Sequence, residues 1–325
     1  SQLDGPLSVT ATAAAGWTKF SPMDIFIPRL QDSAITMVGE CTLNQVEVCD
    51  GKAVTLHTSL GELPVRGSEV VLACGSLTST AIALRSLPKE EVIGRQLAGH
   101  IRSWLTMRLP YRGGNHDHNQ LAALHIEGGG QGRELHSHLT AINRPADSDL
   151  NQLYRILPDP FGISDFDLYG PDTVVYHIHC MGELPSSPER YAKIGSKGEL
   201  VLELQLDQSD EAFWSLMDST IVKLALAIAE SSDQQADFLV DGDWQKQLPK
   251  DLRKRGLVHP AGGLCMGTDS SDSVTDFKGT FHSVSNLHGT GGALFSNCGS
   301  WNPTLAGVAL ALHLADHLVT SANGD

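Results

Sequence analysis

The pattern of hydrophobic and polar residues changes twice along this chain, and each change marks a different kind of predicted structure. In residues 34–74, short β-branched segments alternate with turn residues such as Asp50-Gly51, which predicts strands. The run from Glu69 to Cys74 is mostly apolar and ends at Gly75, and the helical period that follows makes Ser76 the candidate N-cap. A buried strand, a glycine and a helix start together bring backbone close to a cofactor in α/β folds. The other segments predicted as strands are Ala34–Glu40, Leu43–Val48, Gly51–Ser59 and Leu60–Val65.

The middle of the chain has a different pattern, in which longer alternating segments are separated by glycine-rich links. One strong helix is predicted from about Asp210 to Ser231. Strands in series with one covering helix are typical of an antiparallel-sheet domain. From His259 onward the α/β pattern returns, so we predict a mixed α/β (α+β overall) fold in which residues 1–100 and 255–325 form one discontinuous domain and residues 101–254 another. The predicted strands of the middle domain are Trp104–Tyr111, Leu121–Glu127, Leu135–Ile142, Thr173–Met181 and Leu200–Leu206.

Composition places the chain among globular proteins and argues against two classes of partner. Hydrophobic residues make up 41% and charged residues 19% of the 325 residues. The formal net charge is −15. Nucleic acids and anionic membranes both attract proteins through concentrated positive charge. We therefore expect neither a nucleic-acid partner nor a membrane partner.

The cysteines and the first residues of the sequence bear on the cellular compartment. The six cysteines contain no C-x-x-C pair, so we interpret them as reduced, mostly buried small residues that hold no metal. The first residues lack the positive and apolar regions of a secretory signal, and we find no apolar run of the roughly 20 residues that a membrane-spanning helix needs. These features predict a cytoplasmic protein.

Two polar residues in the last quarter of the chain are candidates for catalysis. His259 precedes Pro260 and a pair of glycines, and Asn302 precedes Pro303 and an apolar helix. A base and a hydrogen-bonding neighbour held beside rigid elements suit an active site. Each residue has a structural alternative, since His259 can serve as a loop histidine and Asn302 as a helix cap. One amide cannot fully serve both as a cap and as a substrate ligand.

Three pairs of histidines spaced by two also invite a metal interpretation, because a strand places both members of such a pair on one face. The pairs are His116 and His118, His136 and His138, and His177 and His179. No carboxylate or thiol set with recognisable spacing accompanies them, so we predict no metal site and expect one or two of these histidines to line a pocket. The glycine run Gly128–Gly132 is not a dinucleotide fingerprint, because GxGxxG would require glycine where Arg133 stands.

Three segments give the chain a resemblance to the C-terminal portion of the glucose-methanol-choline (GMC) oxidoreductases, which are flavoenzymes that oxidise alcohols and sugars. The first runs from AITMVGECTLNQVEV through EVVLACGSLTSTAIALRS. The second, VIGRQLAGH, is similar to the family's Gly-Arg-Asn-Leu-x-Asp-His segment, with Gly99 where Asp is common. The third is the most specific and comprises HPAGGLCMG, SVTD, NLHGTGGALF and NPT before an apolar helix. Together they cover about half of the chain.

The resemblance implies roles for particular residues. His259 falls on the catalytic histidine of the family, and Asn302 on a second catalytic position that holds His or Asn. The positions implied to bind FAD are Leu43 at the adenine, Ala73 and Gly75 in the strand and turn behind the cofactor, Gly291, Gly292 and Ala293 in a strand beside the ribityl chain and pyrophosphate, and Pro303 and Thr304 at the start of a helix facing the pyrimidine end. Bulky Trp301, before the asparagine, is expected to narrow the pocket.

The same resemblance implies an activity and a partner. We expect FAD-dependent oxidation of a CH–OH group in a small hydroxylated substrate, such as an alcohol, sugar or glycoside. The residues 1–100 and 255–325 are then part of a Rossmann-like FAD-binding domain, and residues 101–254 form the substrate-binding domain. The family's N-terminal GxGxxG module does not occur in these 325 residues, so we expect a second polypeptide to supply it. The alternatives are a GMC-fold lyase, similar to hydroxynitrile lyases, and a non-catalytic partner subunit of a flavoprotein.

Overall fold

The computed structural model describes residues 23–32, 35–114, 119–145 and 168–323, and it divides the chain into two compact units. The first unit contains the described residues up to Val38, Arg102–Met181 and Phe213–Lys254, and the second contains Gly39–Ile101, Gly182–Ala212 and the described residues from Arg255. The predicted mixed α/β fold class is confirmed. Residues 182–212, which we predicted in the middle domain, belong to the second unit. Hydrogen bonds such as that from Ala192 N to Gly94 O (2.8 Å) tie them there.

The main sheet has seven strands, β5 (Ala98–Pro110), β6 (Gln120–Gly130), β7 (Arg133–Asn143), β8 (Thr173–Leu184), β11 (Asp237–Val240), β12 (Asp243–Gln245) and β13 (Arg253–Ala261). Six of them lie in the order β12-β11-β5-β8-β7-β6, and β13 pairs with β5. The hairpin between β6 and β7 turns through Gln131 (φ 56°) and Gly132 (φ 77°), a left-handed pair that suits a tight antiparallel turn. The sequence prediction of strands here holds, although the strands extend further than their apolar cores.

Two helices belong wholly or mainly to the first unit. Helix α1 spans Met23–Gln31, and helix α3 spans Gln208–Ser232 with Asp210 and Glu211 in its first turn. Phe213, Met217, Ile221 and Ala225 are spaced by four residues and are all fully buried, so they form the face of α3 that packs into the core.

The second unit is built from three small sheets. In the first, β1 (Leu43–Cys49), β2 (Lys52–Thr58) and β3 (Gly61–Pro64) are antiparallel, with the predicted turn at Asp50 and Gly51. In the second, β15 (Val284–Gly289) pairs in parallel with β4 (Val70–Leu72) and antiparallel with β14 (Thr280–Phe281). The third pairs β9 (Arg190–Ile194) with β10 (Leu200–Leu204). Helix α2 (Ser76–Ser86), a 3₁₀ helix (Gly291–Leu294) and helix α4 (Thr304–Asn323) complete the unit.

The core of this unit lies between the first two sheets and α2. Its largest buried side chains include Leu72, Ile82 and Phe281. Buried Asn286 joins the two sheets, because its Oδ1 accepts from Ala53 N at 2.7 Å and its Nδ2 donates to Ala53 O at 3.1 Å. The same Nδ2 lies 2.9 Å from Ser68 O. The asparagine that carried part of the family resemblance is therefore a structural clamp.

Several predicted features are wrong in detail. Residues 35–40 form bends and turns rather than a strand. Gly75, not Ser76, is the N-cap of α2, and no side chain caps it. The six cysteines are reduced, but Cys41, Cys49 and Cys74 are exposed. Surface strands and turns leave these small side chains outside the core.

Two helices differ from the expectation that the chain has no apolar segment of membrane-spanning length. Two helices, α3 and α4, are long and apolar enough to cross a membrane, each with a mean hydropathy of 1.4. In the most apolar 18-residue stretch of α4, only 6% of the residues are buried, whereas 28% are buried in the corresponding stretch of α3. Core helices of soluble proteins satisfy the same criterion.

Candidate active site

His259 lies on β13 in the left-handed backbone region (φ 49°), directly before a tight glycine segment. Gly262 (φ 81°) donates its backbone N–H to Gly292 O at 2.9 Å. A Cβ at Gly262 would lie 2.2 Å from Gln96 O, so only glycine fits this approach. The glycines after His259 therefore allow the chain to turn into the second unit's core, and they fix where the histidine backbone lies.

A second histidine holds the ring of His259. His100, at the beginning of β5, places Nδ1 2.9 Å from His259 Nδ1 and Nε2 2.9 Å from Gly299 O. The two rings are nearly perpendicular, with centroids 5.1 Å apart. Burial and the neighbouring His259 lower the pKa of His100 from 6.5 to about 4, although hydrogen bonds to the Gly299 and Cys298 backbone act in the opposite direction. His100 is therefore neutral at physiological pH.

Asn302 lies just before α4 and is exposed. Within the described parts of the chain, its side-chain amide makes no hydrogen bond, so the alternative that it caps α4 is not realised here. Asn302 instead lines a cavity of about 430 Å³. Trp301, Cys298 and Phe295 also line this cavity, with the first turns of α4 on one side. The amide is thus available to a ligand in the cavity.

Cys298 connects the histidine pair with this cavity. Its Sγ lies 4.0 Å from the backbone O of His259, and the residue forms part of the cavity wall beside Asn302. Burial, followed by the nearby Glu183 and Cys265, raises the pKa of Cys298 to about 12. The thiol therefore stays protonated and serves as packing, not as a nucleophile. The backbone of His259 therefore lies next to Cys298, which shares the cavity wall with Asn302, the second predicted catalytic residue.

The start of α2 and the start of the 3₁₀ helix offer a site suited to a phosphate-bearing cofactor. Gly75 (φ 80°) and Gly291 (φ 69°) have open space where a Cβ would stand, and α2 begins without a side-chain cap. The buried hydroxyls of Ser76 and Thr290 have no hydrogen-bond partner among the described residues, and a Cβ at Gly292 would lie 3.1 Å from Ser76 Oγ. Open helix-terminal N–H groups and unsatisfied hydroxyls fit a phosphate group of FAD.

The remaining predicted cofactor positions differ in their surroundings. Gly291, Gly292 and Ala293 lie in a 3₁₀ helix, not in the strand we predicted, because the chain turns at Gly291 immediately after β15 ends. Leu43 is partly buried and packs on the core of its unit, while Ala73 is exposed after β4. Pro303 and Thr304 stand at the predicted helix start. Contact between FAD and any of the positions in this paragraph stays a prediction.

Two of the predicted histidine pairs lie in the described part of the first unit, and one of their members, His177, lines a cavity. His177 hydrogen-bonds Thr106 Oγ1 (3.0 Å) and Tyr169 Oη (2.8 Å), and it borders a cavity of about 390 Å³. His136 and His138 pack against His125 on β6, with ring centroids 4.8–5.1 Å apart. The described residues contain no group of three or more histidine, cysteine or acidic side chains able to hold a metal. His116 and His118 lie outside the described residues.

Sequence reasoning missed His100 and Cys298 as parts of the site. His100 was visible as the last residue of VIGRQLAGH, but nothing in that segment indicates a partner 159 residues away. The only available signal for His100 was its position at the end of a family motif, close to the start of a strand. Cys298 had none beyond its closeness to Asn302.

Comparisons with known proteins agree with the resemblance. Residues 195–311 match the model of the GMC oxidoreductase family that describes its C-terminal region. No curated protein matches the chain. The fold is similar to the crystal structure of pyridoxine 4-oxidase from Mesorbium loti, with a TM-score of 0.52 and 16% identity over 85% of this chain. The chain spans 57% of the length of that protein.

Proposed function

Because residues 195–311 match the family model of the GMC oxidoreductases, we propose that the chain belongs to this family and is the substrate-side part of an FAD-dependent oxidoreductase. The reaction is the oxidation of a CH–OH group in an alcohol, sugar or glycoside. The observation that carries the proposal is His259, whose ring is held by His100 and whose backbone adjoins the cavity wall that Asn302 shares. A positioned base beside a hydrogen-bonding amide is what alcohol oxidation requires.

His259 acts as the general base and accepts the proton of the substrate hydroxyl. Asn302 hydrogen-bonds the substrate oxygen and orients it toward His259. Helix α4 begins at Thr304, next to Pro303 in the cavity wall, and the positive N-terminal end of its dipole would stabilise negative charge that develops there. Trp301 and Phe295 shape the cavity and limit the water in it.

FAD, when bound, supplies the acceptor for the hydride that leaves the carbon. Gly75, Ser76, Thr290, Gly291 and Gly292 would hold its phosphate-bearing part, since they combine open space with unsatisfied donors. Leu43, Ala73, Ala293, Pro303 and Thr304 are the further positions that the family resemblance implies.

We further propose that a second polypeptide completes the FAD site. Helix α4 exposes an apolar surface that suits a protein partner. Leu305 is 83% exposed, Leu312 62% and Val319 61%. Native mass spectrometry of the protein from its own source should show a second, flavin-bearing chain. A single chain that binds FAD by itself would refute this part of the proposal.

The proposed reaction is tested by anaerobic mixing of the purified holoprotein with a panel of alcohols, sugars and glycosides. Substrate-dependent bleaching of the flavin absorbance is expected with at least one of them, and it should slow greatly in His259→Ala at unchanged flavin content. Turnover of a substrate without bleaching would favour the lyase alternative. Absence of flavin from the native complex would favour the non-catalytic alternative. A cytoplasmic location stays a prediction that cell fractionation can check.

A further inference from the structure

We propose that His100 is a positioning residue that fixes the proton of His259 on Nδ1 and so makes Nε2 of His259 the basic atom. The inference deepens the proposed function and rests on it, because it concerns the base of the same reaction. Its physical basis is a chain of hydrogen bonds from His259 through His100 to the backbone of Gly299.

This series of hydrogen bonds ends at a backbone carbonyl. His100 Nε2 lies 2.9 Å from Gly299 O. A carbonyl oxygen only accepts hydrogen bonds, so Nε2 of His100 must carry a proton. His100 is completely buried, and Gly299 is in the left-handed region (φ 58°). Bulk water therefore does not reach this ring to compete with the carbonyl.

The proton on Nε2 determines what the other nitrogen of His100 can do. Because burial and His259 lower the pKa of His100 to about 4, the ring carries one proton at neutral pH. With that proton on Nε2, Nδ1 is an acceptor. His259 Nδ1, at 2.9 Å, must then be the donor.

Neutral His259 therefore has its proton on Nδ1, and its Nε2 carries the basic lone pair. When Nε2 takes a proton from the substrate, the Nδ1–H bond to His100 remains as it was. Neither ring has to turn between the two protonation states, so the arrangement is preorganised for proton transfer. A histidine whose tautomer is unfixed would spend part of its time with Nε2 already protonated and inactive as a base.

Glycine at position 99 explains how the two rings come this close. A Cβ at Gly99 would lie 2.5 Å from Leu257 Cδ1 and 2.9 Å from Val258 O. These two residues directly precede His259 on β13. Gly99, which departs from the family's usual aspartate, thus permits the close approach of β5 and β13 beside the histidine pair.

The direct test is the tautomer of His259 in the complete protein. We would label the holoenzyme with [¹⁵N]histidine and record two-bond ¹H–¹⁵N correlations at pH 8, assigning His259 from its absence in His259→Gln. We expect the Nδ1–H pattern in the wild type. An Nε2–H pattern for His259 in the wild type would overturn the proposal without any variant or substrate.

Two variants of His100 separate positioning from packing. His100→Phe keeps a ring but has no acceptor, so the Nδ1–H pattern of His259 should be lost. His100→Asn keeps an acceptor oxygen near the position of Nδ1, so the pattern should remain. His288→Phe, which replaces another buried histidine of the same unit, should leave it unchanged. An unchanged pattern in His100→Phe would refute the proposal.

Kinetics distinguish this proposal from the proposed function. With an alcohol that bleaches the flavin, His100→Phe should lower kcat by about tenfold with KM within about twofold, since general-base catalysis is worth about 10²–10⁴-fold in total. His100→Asn should recover to within about threefold of the wild type. If His259→Ala retains full turnover, the proposed function fails. If His259→Ala is inactive while His100→Phe matches the wild type, only the role of His100 fails.

Discussion

Two buried histidine settings, one in each unit, show how the anchoring partner decides what an imidazole can do. His177 contacts hydroxyl groups at both ring nitrogens, Thr106 Oγ1 and Tyr169 Oη. Hydroxyls donate or accept, so they satisfy either tautomer and leave the position of the proton unspecified. The His100–His259 pair is anchored instead on the Gly299 carbonyl, which only accepts. A carbonyl anchor fixes a tautomer, whereas hydroxyl anchors only hold a ring in place.

The largest difference between the two histidine settings is expected in catalysis, at the proposed base His259. His259→Ala should lower turnover by about 10²–10⁴-fold, the usual worth of a general base, while His177→Ala should change it by less than about threefold. The measurement is the rate of flavin bleaching with one substrate under anaerobic conditions, at matched flavin content. Comparable losses in the two variants would show that the two settings do not differ in function.

Acid should destabilise the protein through His100. Its pKa is about 4 in the folded protein and 6.5 in the unfolded chain, so the unfolded state binds a proton first as the pH falls. His100 therefore does not lower the unfolding free energy above pH 6.5, but the unfolding free energy falls as the pH drops from 6.5 toward 4, where the loss amounts to about 3 kcal/mol. The groups facing His100 are His259 and the carbonyls of Gly299 and Cys298.

Denaturant unfolding of the wild type and of His100→Phe at several pH values measures this loss. Relative to the variant, the wild type should lose about 3 kcal/mol of unfolding free energy between pH 7 and pH 4. A difference that does not change with pH would mean that His100 titrates normally in the folded protein.

Removing His177 should cost stability and not catalysis. His177→Phe fills the ring volume but removes the hydrogen bonds that the Thr106 and Tyr169 hydroxyls make to His177, which costs about 1–3 kcal/mol. Urea unfolding at pH 7 gives the value, with His288→Phe as a buried-histidine control in the other unit. A stability equal to that of the wild type would show that neither hydrogen bond contributes.

The smallest expected effect is on the reactivity of two thiols, Cys180 in the first unit and Cys298 in the second. Burial raises the pKa of Cys180 to about 11 and of Cys298 to about 12, so neither should react with iodoacetamide at pH 8. The exposed residues Cys41, Cys49 and Cys74 should be labelled. Peptide mass spectrometry after a short reaction reports each site separately. Labelling of Cys298 at the rate of Cys74 would contradict its protected position beside His259.

Much of the local structure was predictable from the sequence because its signals are local. The Asn302-Pro303 pair marks the start of α4, and the acidic turn at Asp210 and Glu211 marks the start of α3. Alternation located most strands, and the apolar run before Gly75 located β4. The predictions that were wrong involve conformations that depend on distant contacts. Gly291–Leu294 forms a 3₁₀ helix instead of the strand that the family resemblance implied, and residues 182–212 join the second unit through hydrogen bonds to Gly94 and Leu97.

The sequence by itself determined the mixed α/β class, the order of the elements and the two candidate catalytic residues, because period, turn chemistry and motif order are written in neighbouring positions. Only the tertiary structure decided that His259 is held by His100, which is 159 positions away, and that Asn302 faces a cavity instead of capping α4. The proton position on an imidazole depends on which atom lies about 2.9 Å from its nitrogen. That atom is chosen by how the chain folds back on itself, and no local pattern of residues encodes it.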